Sequence, residues 1–382
     1  MEVIFVASWY PSKLHATNGN FIEQHARAVF LAGGNVRVVH MAFSNRVLIP
    51  QISTSTHNNI PVYHLLIPRI LENSKTTKQL LFKKLIARLD SDGFNPKIVH
   101  GHVVFPAGEL ALYLSNHYNT PLVYTEHWSG YKTVNADRFT EKVQRLTKKV
   151  LRNTDLILPV SYDLGESMRA KGFHGNYAVV NNTVDTSVFY PRKRAQNNVF
   201  QFLHVSNFDP TAKNTEGIIR GFLNGDFKNA RLTIAGDGDI ARLKSFMQSL
   251  GRDVSNIELI GALGYGGVAD LMRGSDCFVL FSNFENLPCV IAESHCCGLP
   301  VLATRVGGVP EMIDSENGML IPPGDESEVV VGMRKMIEKR AAFNSAKIAE
   351  VAAQRYSLLT IGEQFMNHYR ALMTDASSNY QA

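Results

Sequence analysis

Short apolar runs alternate with stretches of helical periodicity along the whole chain, and the alternation stops once and then restarts. In the first half, strand-like runs fall at 2–7, 36–42, 61–67, 97–102, 121–125, 155–160 and 176–180. Helical patterns lie between them, at about 20–33, 74–90, 106–118, 137–153 and 161–171. The polar stretch Arg192-Lys193-Arg194-Ala195-Gln196-Asn197-Asn198 has no apolar stripe and reads as a linker. Strands then recur at 200–206, 230–235, 256–260, 276–281, 299–303 and 318–321. Such alternation builds right-handed βαβ units, hence parallel sheets covered on both faces. Cys277-Phe278-Val279-Leu280-Phe281, apolar throughout, suits a strand buried on both sides. The expected fold is therefore α/β, with two doubly wound parallel-sheet domains at 1–190 and 191–355. A helix at 357–373, within a segment 356–382, is expected to run back over the first domain, and the tail Ala376–Tyr380 reads as frayed. Ligands are expected at strand C-terminal ends and in the cleft between the domains.

A length of 382 residues suits two domains, and 45% hydrophobic residues exclude a disordered chain. No apolar run approaches the ~20 residues of a membrane helix. The opening Glu2-Val3-Ile4-Phe5-Val6-Ala7 is too short for a signal segment, so a cytoplasmic location is expected. The charge is uneven: residues 1–190 carry 20 Lys/Arg against 13 Asp/Glu, and residues 191–382 carry 19 against 21. A basic first half suits a face turned toward something anionic. Cys277, Cys289, Cys296 and Cys297 lack the paired spacing of a zinc site and read as reduced, buried thiols.

Three loop motifs follow strands of the second half. In Ser282-Asn283-Phe284-Glu285-Asn286-Leu287-Pro288-Cys289-Val290-Ile291-Ala292-Glu293, Glu285 falls in a strand-to-helix loop, with the helix beginning near Leu287. Glu285 has a bland reading as a favourable charge at a helix start. Glu293, about two turns in, has no such reading, because a carboxylate in so apolar a helix needs a partner, and a ribose diol would supply one. In Ser206-Asn207-Phe208-Asp209-Pro210-Thr211-Ala212-Lys213, Lys213 could pair with a diphosphate oxygen or be an ordinary solvated lysine. Ala235-Gly236-Asp237-Gly238-Asp239-Ile240-Ala241 fits G-x-G-x-x-A, which brings in a nicotinamide dehydrogenase. Its carboxylates would repel a pyrophosphate, and the motif sits in the second βα unit rather than the first. The bland alternative is a tight turn with Asp239 capping a helix. Asp237/Asp239 also spell D-x-D, but so do Asp90-Ser91-Asp92. In the first half, Gly19 before a helix permits close anion approach or is plain capping, and His127, His100 and His102 stand at the ends of apolar strands.

Together these residues resemble the retaining glycosyltransferases of family 4, with the GT-B architecture of two facing Rossmann-like domains. The resemblance rests on Glu285…Glu293 with Ser294-His295-Cys296-Cys297-Gly298-Leu299-Pro300-Val301. Val306-Gly307-Gly308-Val309-Pro310-Glu311 and Asn317–Asp325 extend it, and the Gly19 loop, His100/His102, Thr125-Glu126-His127 and Asn182–Pro191 match more weakly. It implies transfer of a sugar from a UDP- or GDP-sugar to a saccharide or lipid-linked acceptor, in cell-surface polysaccharide or glycolipid assembly. No metal cofactor and no nucleic acid are implied. By position, Glu285 would contact the donor sugar with Asn286 and Leu287 amides, Glu293 the ribose, and Lys213 the departing diphosphate. Gly19 would admit that diphosphate, and His127 would lie beside the sugar. Asn207 stands where the family carries an arginine, so one charge on the leaving group is missing. No nucleophile replaces it, in keeping with a front-face mechanism in which the departing phosphate deprotonates the acceptor. The rivals are a GT-B epimerase or phosphorylase, a catalytically inactive sugar-nucleotide binder, and a dehydrogenase. Finally, Ser74–Leu89 reads as an amphipathic helix, with Leu81, Phe82, Leu85, Ile86 and Leu89 apolar and Lys75, Lys78, Lys83, Lys84 and Arg88 around them. This suggests peripheral binding to an anionic inner membrane face, against the ordinary reading in which the stripe is core.

Overall fold

The computed structural model describes residues 1–13, 17–132, 137–192 and 198–378. Residues 193–197 of the linker, and Asn379 and Tyr380 of the tail, lie outside them. Ala376–Ser378, read as frayed, end the last helix instead. The chain divides into one unit of Met1–Thr183 with Leu358–Ala382, and a second of Val184–Ser357.

In the first unit the strands are β1 (Glu2–Ala7), β2 (Asn35–Ser44), β3 (Gln51–His57), β4 (Ile60–Pro68), β5 (Ile98–His102), β6 (Leu122–Glu126) and β7 (Leu156–Pro159). Their order is β3-β4-β2-β1-β5-β6-β7, parallel except for the β3–β4 hairpin. The helices α1 (Asn20–Leu31), α2 (Lys75–Ser91), α3 (Gly108–Tyr118), α4 (Glu141–Leu151) and α5 (Tyr162–Ala170) connect them. The sequence pattern overlooks β3, because Ile52-Ser53-Thr54-Ser55-Thr56 has no apolar face. It is a largely exposed edge, where polar residues discourage further pairing. Residues 176–180, expected as a strand, run parallel beside β7 without forming a regular strand: Ile157 N donates to Asn176 O, Ala178 N to Ile157 O and Val180 N to Pro159 O.

The second unit holds β8 (Phe200–Val205), β9 (Ala230–Ala235), β10 (Ile257–Ile260), β11 (Cys277–Leu280), β12 (Val301–Thr304) and β13 (Gly318–Ile321). All pair in parallel, in the order β10-β9-β8-β11-β12-β13. Helices α6 (Thr215–Asn224), α7 (Ile240–Ser249), α8 (Tyr265–Gly274), α9 (Cys289–Cys296), α10 (Glu326–Glu338) and α11 (Ser345–Tyr356) cover it. The last helix, α12 (Leu358–Ser378), belongs to the first unit. Its Ile361, Phe365, Met366 and Tyr369 join Val3, Phe5, Val38 and Ile98 in one apolar core. Tyr369 also shares a 2.6 Å hydrogen bond with His100 Nδ1, tying the helix to β5.

Each sheet reverses direction of build once, between β1 and β5 and between β8 and β11. At these switch points the connections leave in opposite directions, opening a crevice beyond the strand C-termini. That is where the candidate residues fall.

Candidate active site

Lys213 follows β8 and Glu285 follows β11, the two strands that flank the second unit's switch point. The loops carrying them are stitched together: Asn283 N donates to Ala212 O at 2.7 Å, and Asn283 Nδ2 to Thr211 O at 3.0 Å. Asp209 accepts from Thr211 N and its hydroxyl, and Asn214 caps α6 from a left-handed conformation, so the short run between them is fixed at both ends. The result is an ion pair between Lys213 Nζ and Glu285 Oε1, bridging distant parts of the chain. Ser282 Oγ donates to the same oxygen at 2.8 Å, and the Glu285 side chain is buried. Burying two charges is costly, and the mutual contact together with the Ser282 hydrogen bond offsets that cost.

Helix α9 begins at Cys289, two residues later than its sequence suggests, after Pro288 fixes the entry. Asn286 O accepts from Gly308 N at 2.8 Å, which holds the Glu285–Leu287 loop against the turn after β12. Glu293 therefore lies one turn into the helix rather than two. Among the described residues no donor reaches its carboxyl group, and burial alone pushes it up to about 7. A carboxyl left in this condition favours a ligand that brings hydroxyl donors.

Asn207 is exposed, and its Oδ1 accepts from Asp209 N at 3.2 Å, so the amide braces its own loop. The glycine motif is also accounted for by packing. A Cβ on Gly236 would sit 1.7 Å from Ser206 O, and one on Gly238 2.0 Å from Asn207 O. Asp239 caps α7 by accepting from Arg242 N at 2.9 Å. Asp90 and Asp92 accept from Tyr118 and Tyr63 hydroxyls. The four cysteines are free thiols, and burial raises them all, Cys289, Cys296 and Cys297 to about 12.

In the first unit, Gly19 caps α1 with φ +73°, and a Cβ there would lie 2.4 Å from the Trp9 carbonyl carbon. His127, just past β6, is buried, its Nε2 3.3 Å from His102 Nδ1 and its ring 4.6 Å from Phe21. His25 completes a group whose ligand atoms all lie within 4.8 Å of one another. Among the described residues this is the grouping whose spacing would admit a metal ion. His25 Nε2 faces the Asn181 carbonyl at 3.2 Å and so carries the proton, leaving Nδ1 without a hydrogen bond. Burial, and then mutual repulsion, hold His102 and His127 well below the ordinary histidine range. His25 on α1 was not visible as a site residue from sequence, since a helical histidine has no local signal. Glu126 is the other omission. Its carboxylate accepts from the His127 and Trp128 amides and from Tyr131, each at 2.9 Å, and so shapes the loop that carries His127.

A family model described as Glycosyltransferase Family 4 matches residues 19–188, and one described as Glycosyl transferases group 1 matches 200–339. An uncharacterized glycosyltransferase of Methanocaldococcus jannaschii is 27% identical over 63% of this chain and 65% of its own. The sulfoquinovosyl transferase SQD2 of Arabidopsis thaliana is 27% identical over 65% of this chain. The chain spans only about half of that relative, 51%. TuaC of Bacillus subtilis, named as a teichuronic acid biosynthesis glycosyltransferase, is 22% identical over 85% of this chain and 86% of its own. Among solved structures, Anabaena HepE in complex with UDP superposes with a TM-score of 0.75 at 18% identity, covering 97% of this chain and 100% of that one.

Proposed function

The chain belongs to glycosyltransferase family 4, the glycosyl transferases group 1, and on that footing we propose that it moves a sugar from a nucleotide-sugar donor to an acceptor hydroxyl with retention of anomeric configuration. One observation carries this reading: Lys213 and Glu285 are paired at the second unit's switch point, beside a Glu293 carboxyl that no donor among the described residues satisfies. A UDP- or GDP-sugar answers each feature. Its ribose diol donates to Glu293, its diphosphate meets the Lys213 ammonium, and its sugar hydroxyls meet Glu285 and the amides of Asn286 and Leu287. UDP bound to HepE supports the choice of ligand class.

Charge then decides the chemistry. As the bond to the diphosphate lengthens, negative charge grows on the leaving group and positive charge on the anomeric carbon. Lys213 stabilises the first and Glu285 the second, and their contact holds the two side chains together at the switch point. Glu285 is held by Lys213 and Ser282, which leaves it a poor nucleophile for a covalent sugar intermediate. This agrees with the front-face mechanism that the family resemblance implies, in which the departing phosphate takes the acceptor proton and attack comes from the same face. Lys213 and loop amides carry the leaving-group charge without a metal, with Asn207 adding no charge of its own. The roles of Gly19, as an anion-accepting helix start, and of His127, beside the sugar, rest on the family resemblance alone.

The acceptor is read as a saccharide or lipid-linked saccharide of cell-surface polysaccharide or glycolipid assembly, in keeping with TuaC's name. A peripheral place on an anionic membrane fits the first unit, although not through the α2 stripe. Leu81, Phe82, Leu85, Ile86 and Leu89 are buried in that unit. What remains outside is Lys75, Lys83, Lys84 and Arg88, with exposed Leu48, Ile49 and Ile70 on the loops after β2 and β4. No helix is long and apolar enough to cross a membrane among the described residues.

The test is donor turnover. Incubation with UDP- and GDP-sugars and a panel of glycan acceptors, with and without chelator, should give acceptor-dependent release of nucleoside diphosphate that survives chelation. Epimer formed from donor alone would favour the epimerase, and nucleotide binding without turnover on any acceptor would favour the inactive binder.

A further inference from the structure

We propose that the first unit's cavity takes a saccharide acceptor bearing an anionic group, a carboxylate or a phosphate. This names the acceptor class and rests on the transferase reading above. The cavity, of about 550 Å³, opens at the C-terminal ends of β1 and β5, the strands flanking the first unit's switch point. Its frame is rigid: Ser8 Oγ donates to Val103 O at 2.6 Å and accepts from Ala107 N at 2.9 Å. The size suits a mono- to disaccharide.

Two kinds of side chain line it. Trp9, Phe43, Phe105 and Trp128 present flat apolar surface, which suits the C–H faces of a sugar ring. Arg69, Arg138 and Lys142 bring positive charge, against the single carboxylate of Glu72. Glu72 is already engaged, since Lys142 Nζ lies 2.9 Å from its Oε1 and 2.9 Å from Asn73 Oδ1. Arg69 and Arg138 have no acidic partner among the described residues. The carboxylate thus neutralises one cation and leaves two guanidinium groups at the wall. A guanidinium presents a planar fork of donors that matches two oxygens of one carboxylate or phosphate. A neutral sugar satisfies the aromatic walls but leaves both forks in water. A bare anion satisfies the forks but leaves the aromatic walls unused. Only a molecule with both parts uses the whole cavity.

The experiment measures binding to the full chain, using methyl glucuronide, glucose 6-phosphate, methyl glucoside and inorganic phosphate as probes, with UDP and GDP titrated in parallel. The wild type should bind at least one of the two anionic sugars about tenfold more tightly than methyl glucoside and than inorganic phosphate. Which of the two binds better identifies the oxyanion. Arg69→Gln and Arg138→Gln should each erode that preference several-fold while nucleotide binding is unchanged, which also shows the variants folded. Equal affinity for charged and neutral sugars, a preference untouched by both substitutions, or phosphate binding as well as glucose 6-phosphate would overturn the proposal. If the anionic sugar is preferred as stated but no nucleoside diphosphate binds, the transferase reading fails and the cavity assignment stands.

Discussion

Glu285 is held by a lysine and a serine, whereas Glu293 is reached by no donor among the described residues, and the two should respond differently to the same substitution. Glu285→Gln removes a charge that matters as the anomeric carbon becomes positive, so kcat should fall ~10²-fold with little change in donor binding. Glu293→Gln removes a hydrogen-bond acceptor used equally by bound donor and transition state, so KM should rise ~10-fold. Steady-state kinetics with a verified donor separates the two, and identical profiles for the two variants would undo the assignment. Lys213 and Glu285 were legible as candidates in the sequence because each falls in a loop after a strand, where such folds bind ligands. Glu293 was legible because a carboxylate in so apolar a helix needs a partner. The pairing of Lys213 with Glu285 was not legible. It depends on β8 and β11 being neighbours, which sheet order decides and local pattern does not. His25 stayed hidden for the same reason, since its partners His102 and His127 are distant in sequence. Glu126 stands in a motif the sequence shows, but its role of bracing the His127 loop is set by local backbone geometry.

At the scale of elements, the start of α1 is set by one residue. Gly19→Ala would push a Cβ against the Trp9 carbonyl at φ +73°, and should destabilise the first unit by ~2 kcal/mol or more. Urea denaturation checks this, and a change under ~0.5 kcal/mol would mean the loop yields freely. The α2 helix teaches a related lesson. Its amphipathic pattern is legible from sequence, but the pattern is the same whether the stripe meets a membrane or a core. Burial decides for the core. Membrane association then falls to the exposed loops, and sedimentation with anionic vesicles should weaken when Leu48, Ile49 and Ile70 are changed together to Ser, or at high salt. Undiminished sedimentation of that variant would remove these loops from the account. Strand β3 escaped notice because an exposed edge needs no apolar alternation.

Across the whole molecule, buried imidazoles sit in both units: His25, His100, His102 and His127 in the first, His204 and His295 in the second. Burial is the first cause holding all of them low, His25, His204 and His295 at about 4. Their folded values lie below the ordinary 6.5, so the folded chain binds fewer protons than the unfolded one. The stability they contribute is present above pH 6.5 and is lost as pH falls toward 4. Each such group adds up to ~1.4 kcal/mol per pH unit to the slope. Urea midpoints should therefore drop steeply between pH 7 and 5, and a flat profile over that range would contradict this view of the core.

The central claim is that Glu293 awaits the ribose of a nucleotide, and calorimetric titration of UDP and GDP against pH tests it most directly. A carboxyl group pushed up to about 7 must ionise to accept fully from a diol, so the wild type should bind one of these nucleotides up to ~10-fold more tightly at pH 8 than at pH 6. Glu293→Gln should bind it more weakly and keep only the pH dependence of the nucleotide's own phosphate. Failure of both nucleotides to bind, or the same affinity and pH dependence in wild type and variant, would contradict the account.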